Sequence, residues 1–228
     1  MTSKGFFARS MRFIGIVLMA LTGGFTLLGG IGTSCAALNP RGFGSMAALA
    51  PFQWLYILFV LAGIALGVLG IRATVMLVKG RSKSYSDAMV ALVAGVVIGA
   101  IHIAVSRALR GKSMPVDAVV YTTVLTLIVF LLFRIPAIWN GVDFTKGKAS
   151  DSLKAGGAAA ILLGALTLTI QFTMGPTHTW GGVNYADAFN ASMTVGGLVC
   201  LVLGAGIMLR ACSKQVTLSR SVPEVRSA

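Results

Sequence analysis

The chain has 228 residues, of which 56% are apolar and only 11% are charged, with 19 Lys plus Arg against 6 Asp plus Glu for a net charge of +13. Average globular chains run at about 45–50% apolar and about 25% charged residues, so these few charges would not cover the surface of a water-soluble enzyme, and the chain is far too apolar for disorder. Three cysteines at this length also exclude a disulfide-rich secreted scaffold.

A helix that crosses a membrane takes about 20 mostly apolar residues. In chain order six segments meet that requirement: Phe13–Ile31, Phe52–Val78, Ala88–Val105, Val116–Phe133, Ala155–Met174 and Ala191–Leu209. The second is over-long and carries Arg72 near its end. The last two hold many Gly, Ala and Thr residues but no charge over a bilayer's thickness. The expectation is an all-α, polytopic membrane helix bundle of six transmembrane helices. The first segment has basic residues before it and Thr33-Ser34-Cys35 after it, as in a secretory signal. Its apolar run exceeds the usual signal core of about 7–15 residues. A lipoprotein signal also places a larger apolar residue three positions before its cysteine, where this chain has Gly32. It reads as an uncleaved first helix.

With the N-terminus in the cytoplasm, 15 basic residues fall on the inner side, and Arg41, Arg107, Arg110 and Lys112 on the outer side. The positive-inside rule then places both termini in the cytoplasm of a cell (inner) membrane. Arg72, Arg134 and Arg210 stand at inner helix ends, where a long side chain snorkels to the headgroups. Residues 1–139 form a four-helix unit, 140–154 a polar cytoplasmic linker, 155–211 a helix pair with a polar outer loop, and 212–228 a basic tail that is solvated or lies on the leaflet. The two flanking units echo one another: Ile14–Arg72 and Ala155–Arg210 each run in, out and in again, and each ends in glycines closed by Arg-Ala.

Helices in lipid associate through close packing at small residues. Four ridges are predicted: Gly63 and Gly67; Gly95 and Gly99; Gly156, Ala160 and Gly164; Gly196, Cys200 and Gly204. Cys200 is a small core residue in that reading, Cys212 a reduced cytoplasmic thiol, and Cys35 a lone outer thiol.

Two histidines are the candidate chemistry. His102 lies on the small-residue face of its span, three residues after Gly99 and four before Ser106. His178 lies in the outer loop Gly175–Asp187, where Pro176 and Gly181-Gly182 mark turns and Trp180 and Tyr185 suit the interface. Both histidines come to the outer side, together with Gln53, Trp54, Asp117, Tyr121 and Asp187, and Asp117 and Tyr121 share a face. Two imidazoles there can ligate a haem iron or copper, or line a quinone or lipid-headgroup site. The outer loop Ser106–Asp117 carries Arg107, Arg110 and Lys112 and is, with Trp180 and Asp187, the candidate surface for an acidic partner subunit or anionic lipid.

Walker A, dinucleotide-binding and nucleophile-elbow motifs are absent, and all six acidic residues lie in loops or at helix ends. The reading favoured is a non-catalytic subunit or accessory component of a larger electron-transfer or envelope complex, held by lipids and by other subunits or self-association, with no nucleic acid. A haem- or quinone-binding oxidoreductase module on His102 and His178 is the alternative, and a small anion channel or transporter the third.

Overall fold

The computed structural model describes residues 3–42, 44–113, 115–146, 149–180 and 182–220; within these, the side chains of Cys35, His178, Trp180 and Tyr185 lie outside the description. The described residues are helical apart from one short hairpin. Eight α-helices follow in order: α1 Ser3–Leu38, α2 Gln53–Val78, α3 Ser84–Arg110, α4 Val116–Leu132, α5 Pro136–Val142, α6 Ala149–Leu168, α7 Ile170–His178 and α8 Asn190–Arg220. Five stretches are long and apolar enough to cross a membrane, in α1, in α2 with the turn before it, and in α3, α6 and α8, whereas α4 is a shorter apolar helix. At 1.5 Å per residue the 17 residues of α4 span about 25 Å.

The elements start and stop for local reasons. Pro51 closes a 3-10 segment, Gly44–Phe52, just before α2. Gly111 takes φ 70° after α3 and caps it, its amide donating to the Arg107 carbonyl at 2.8 Å. Half of the loop expected at Ser106–Asp117 is therefore helical. Pro136 opens α5 in the first turn, where its missing N–H costs nothing.

α1 is the central helix, packed on α2, α4, α5 and α6, while α8 packs mainly on α6. The α1–α2 and α6–α8 pairs are antiparallel and use one device. A Cβ at Gly23 would lie 2.8 Å from the backbone of Gly70, and one at Gly30 would lie 2.8 Å from the Ile64 nitrogen, beside Gly63. Across α6–α8, a Cβ at Gly164 would lie 2.7 Å from the Gly197 carbonyl oxygen, and one at Gly204 would lie 2.8 Å from that of Gly157. In each helix the two glycines are seven residues apart, two full turns, so both fall on one line. The predicted ridges are thus corrected in part. Gly63 and Gly67 do face α1, and Gly95 and Gly99 face α4. On α6, however, Gly156 faces Val78 of α2, and its neighbour Gly157 faces α8. On α8, Gly197 takes the place expected of Gly196, which meets nothing within 4 Å.

At the end of the bundle that holds the α2–α3 turn, a core joins Ile16 and Met19 of α1, Leu77 of α2, Leu92 of α3 and the rings of Phe130, Phe133 and Phe144. Phe130 and Phe144 stack at 6.1 Å between centroids, and Gly15 leaves room for Phe133, whose ring would stand 2.8 Å from a Cβ there. Between α1 and α4 the hydroxyl of Thr126 donates to the Thr122 carbonyl at 2.9 Å. Thr22 therefore donates in the 2.7 Å bond that joins the two buried hydroxyls. Arg134 lies over the rings of Tyr85 and Trp139, 5.6 and 5.9 Å from their centroids.

One expected helix is broken, and two expected connecting segments carry structure. The linker 140–154 is largely folded, because Val142 and Phe144 are buried in the inner core and α6 begins at Ala149. The helix expected over Ala155–Met174 breaks at Thr169, whose hydroxyl turns back to the carbonyls of Ala165 and Leu166 at 3.2 and 3.1 Å. Such back-bonding competes with the helical ladder and bends it. The tail expected from Cys212 is helical to Arg220, and residues 221–228 lie outside the description.

The glycine contacts predict a sharp contrast. Replacing Gly23 or Gly164 by Val forces side chain against backbone, and overpacking of this kind costs about 1–3 kcal/mol or more. Gly32, which meets nothing within 4 Å, should accept Val with little change. Thermal unfolding in detergent measures both, and equal stability of all three variants would refute backbone packing as the source of cohesion.

Candidate functional site

The polar residues at the end of the bundle that holds the α3–α4 turn fall into two groups. The first is built around His102 on α3. Phe59 and Tyr56, three residues apart on α2, present their rings on one face. Phe59 stacks on the imidazole with centroids 4.3 Å apart and planes at 12°. Tyr56 meets it edge-on at 5.4 Å and 79°. The Tyr56 hydroxyl shares a 2.8 Å hydrogen bond with Ser106, one turn beyond His102 on α3. The imidazole is 9% exposed, and it borders a cavity of about 70 Å³ between α1, α2, α3 and α4. Gly29, Gly30, Gly63, Gly95 and Gly99 line that cavity with the hydroxyl-bearing Thr26, Thr33 and Thr123. The three threonines donate to the carbonyls of Thr22, Gly29 and Val119 at 2.6 to 2.8 Å, so their oxygens keep lone pairs for a further donor.

The second group closes the turn between α3 and α4. Arg107 donates to Asp117 at 3.0 Å and to Ser113 at 2.9 Å. Ser113 Oγ in turn lies 2.9 and 2.7 Å from the two Asp117 carboxylate oxygens and donates to them. Ser113 and Asp117 are buried, at 2% and 5% exposure. Asp117 sits in the first turn of α4, where the helix dipole favours its negative charge. Arg110 reaches across to the Met46 sulfur and donates to the Lys112 carbonyl at 3.2 Å. Of the three basic residues expected to meet a partner, Arg107 is thus ion-paired within the chain, Arg110 is half-buried against Met46, and Lys112 is exposed.

The remaining candidates are placed separately. Gln53 donates to the Leu38 carbonyl at 2.9 Å and ties the start of α2 to the end of α1. Trp54 and Tyr121 are exposed, and Tyr121 stands beside the Arg107 guanidinium, so it shares with Asp117 the face that meets this arginine. The loop Gly175–Asp187 is a hairpin, β1 Thr179–Trp180 paired antiparallel with β2 Val183–Asn184, with Gly182 at φ 79° in its turn. Pro176, expected to mark a turn, lies inside α7 instead. Asn184 anchors the hairpin by donating to the Gln171 carbonyl at 3.2 Å and accepting from the Ala186 amide at 3.0 Å. Asp187 is exposed just before α8. The side chains of His178 and Trp180 lie outside the described residues; the backbone sets His178 at the end of α7, which packs on α6 and the hairpin, while His102 belongs to the α2–α3–α4 face. Among the described residues no three His, Cys, Asp or Glu side chains converge as metal ligands.

Tyr56, Phe59 and Ser113 are the site residues that sequence reasoning missed, and Ser106 entered it only as a marker of the His102 face. Their signal was spacing: Tyr56 with Phe59, and His102 with Ser106, are helical neighbours on facing helices. The cavity itself is smaller than the 300–1,000 Å³ or so of usual small-molecule sites. The geometry therefore gives His102 a packing role between two aromatic rings, beside a space fit for one or two waters. His102→Phe should keep stability within about 1.5 kcal/mol, as volume-conserving swaps do, and leave the visible spectrum of the purified chain unchanged. A haem band or extractable quinone lost in that variant would instead make His102 a cofactor ligand.

Comparison with protein-family models, with curated proteins and with solved structures finds no match, so the functional reading rests on this geometry.

Proposed function

We propose that the chain is a non-catalytic, multi-pass component of a membrane assembly, crossing the inner membrane six times with both termini in the cytoplasm. α4 serves as the sixth crossing: its 17 residues are at the lower limit of the usual range of about 17–25, and Asp117 and Arg134 bracket its apolar stretch. The charge asymmetry supports the orientation, since the basic residues of the α2–α3 turn, of residues 134–154 and of the end of α8 all fall on one side. In a Cys35→Ser background, an impermeant thiol reagent applied to intact cells should label a cysteine placed by Lys112→Cys and spare Cys212. The reverse pattern would invert the topology.

The observation that carries the assembly reading is the second face of α8. One face, Gly197, Leu201, Gly204 and Met208, packs on α6. On another side Gly196, Val199, Leu203 and Gly206 recur at helical spacings of three and four. Both of these glycines meet nothing within 4 Å, and Val199 and Leu203 are exposed. Only 11% of the most apolar stretch of α8 is buried inside the chain, against 44% in α1. Glycine on a lipid face contributes nothing to cohesion, whereas it admits a neighbouring helix backbone. The open stripe therefore suits a further helix, from a second copy or from another subunit.

Purification in mild detergent should yield the chain as an oligomer or with a co-purifying membrane protein. The double variant Gly196→Leu, Gly206→Leu should release it as a monomer while its helical content stays unchanged. A wild-type chain that is monomeric in detergent and in nanodiscs, and indifferent to the variant, would overturn the assembly reading.

A further inference from the structure

The turn between α2 and α3 gathers four cations around one cleft. The end of α2 is fixed by glycine: Gly80 takes φ 62°, its amide donates to the Leu77 carbonyl at 3.1 Å, and the Arg81 amide donates to that of Met76 at 3.0 Å. This is the paired-bond ending in which a left-handed residue satisfies the last carbonyls of a helix. The turn is also held from beneath, since a Cβ at Gly80 would lie 3.1 Å from the carbonyl oxygen of Phe144, a residue of the inner core. The cationic side chains are therefore mounted on a rigid base.

Arg72, Lys79, Arg81 and Lys83 surround a cleft of about 500 Å³ whose apolar wall is Val75 and Met76. Asp87 of α3 faces Arg72 at 4.0 Å, which leaves the cleft with three positive charges in excess. α2 and α3 hold 26 and 27 residues, about 40 Å of helix each, close to the thickness of a bilayer with its headgroup layers. Their shared turn accordingly stands at headgroup level. Arg72 lies about 9 Å lower, six residues before the end of α2, and its exposed side chain lines the cleft together with Val75.

We propose that this cleft holds the headgroup phosphate of an acidic phospholipid, with Lys79, Arg81 and Lys83 around the phosphate and Val75 and Met76 against the upper acyl chain. A lipid is favoured over a soluble anion because the cleft's wall runs into the exposed apolar side of α2, which a free phosphate would not use. Basic pockets at the headgroup level of helix bundles suit this chemistry. The site is independent of any association through α8.

The test is lipid retention by the full chain. Purified from membranes containing both lipid types, the wild type should keep phosphatidylglycerol or cardiolipin in preference to phosphatidylethanolamine when bound lipid is extracted and measured. Each neutralised cation should reduce that retention about fivefold, so Lys79→Gln, Arg81→Gln and Lys83→Gln together should abolish it. Arg41→Gln, at the other end of the bundle, should leave it intact. In nanodiscs the wild type, and not the triple variant, should melt higher with phosphatidylglycerol than with phosphatidylcholine. Equal retention by wild type and triple variant would overturn the proposal. Saturable binding of inorganic phosphate, with no preference among lipids, would overturn it in favour of a soluble anion.

Discussion

The bundle depends on the close approach of helix backbones at paired glycines. In water the burial of apolar side chains drives helices together; in lipid the surroundings are as apolar as the side chains, and cohesion must come from contact itself. Contact is densest where no Cβ intervenes. The α1–α2 and α6–α8 pairs reach that limit, with glycine backbone against glycine backbone at both ends of a two-turn stretch. Shape rather than hydrophobicity holds each pair, which explains why a chain so rich in Leu and Val places its tightest contacts at its smallest residues.

Backbone packing also governs where polar groups can stand. With little space between helices, the hydroxyls within the spans satisfy themselves locally: Thr26, Thr33, Thr74, Thr123 and Thr167 each donate to the carbonyl one turn back. Thr22 and Thr126 meet across the α1–α4 contact. Charged groups are pushed to the ends. At one end Arg107, Ser113 and Asp117 close a turn, and at the other Arg134 sits over Tyr85 and Trp139 while Arg72 faces Asp87. A cationic ring contact of this kind gives the exposed Arg134 guanidinium a partner without a carboxylate.

Much of this was legible in the sequence. Apolar length located α2 to within one residue of its start and at its end. His102 was rightly turned toward the bundle by its spacing from Gly99 and Ser106. The glycine faces of α6 and α8 were misread for a definite reason. Four-residue spacing was sought, whereas these helices carry glycines seven apart, and Gly157 and Gly197 each have a glycine next to them in sequence. Composition hid the segment 140–154, since two buried residues, Val142 and Phe144, outweigh its Lys, Ser and Asp in deciding whether it folds. The break at Thr169 leaves no mark in the hydropathy pattern. The echo between the two halves survives in altered form. Both use the same glycine device, but Arg72 follows Gly70 by two residues and Arg210 follows Gly204 by six, so the Arg-Ala closures lie one turn out of step.

The contacts between the pairs differ in degree from those within them. Within a pair, glycine backbone meets glycine backbone, with the side chains of Ile161, Leu168, Leu201 and Met208 beside the glycines of α6–α8. Between α1 and α6 a Cβ at Gly24 would meet the δ-carbons of Leu163, at 2.6 and 3.0 Å, and between α2 and α6 a Cβ at Gly156 would meet the γ-carbons of Val78, at 3.2 and 3.7 Å. The fit of this seam depends on the rotamers of Leu163 and Val78, whereas the glycine lines within the pairs depend on the absence of a Cβ, which no rotamer can replace.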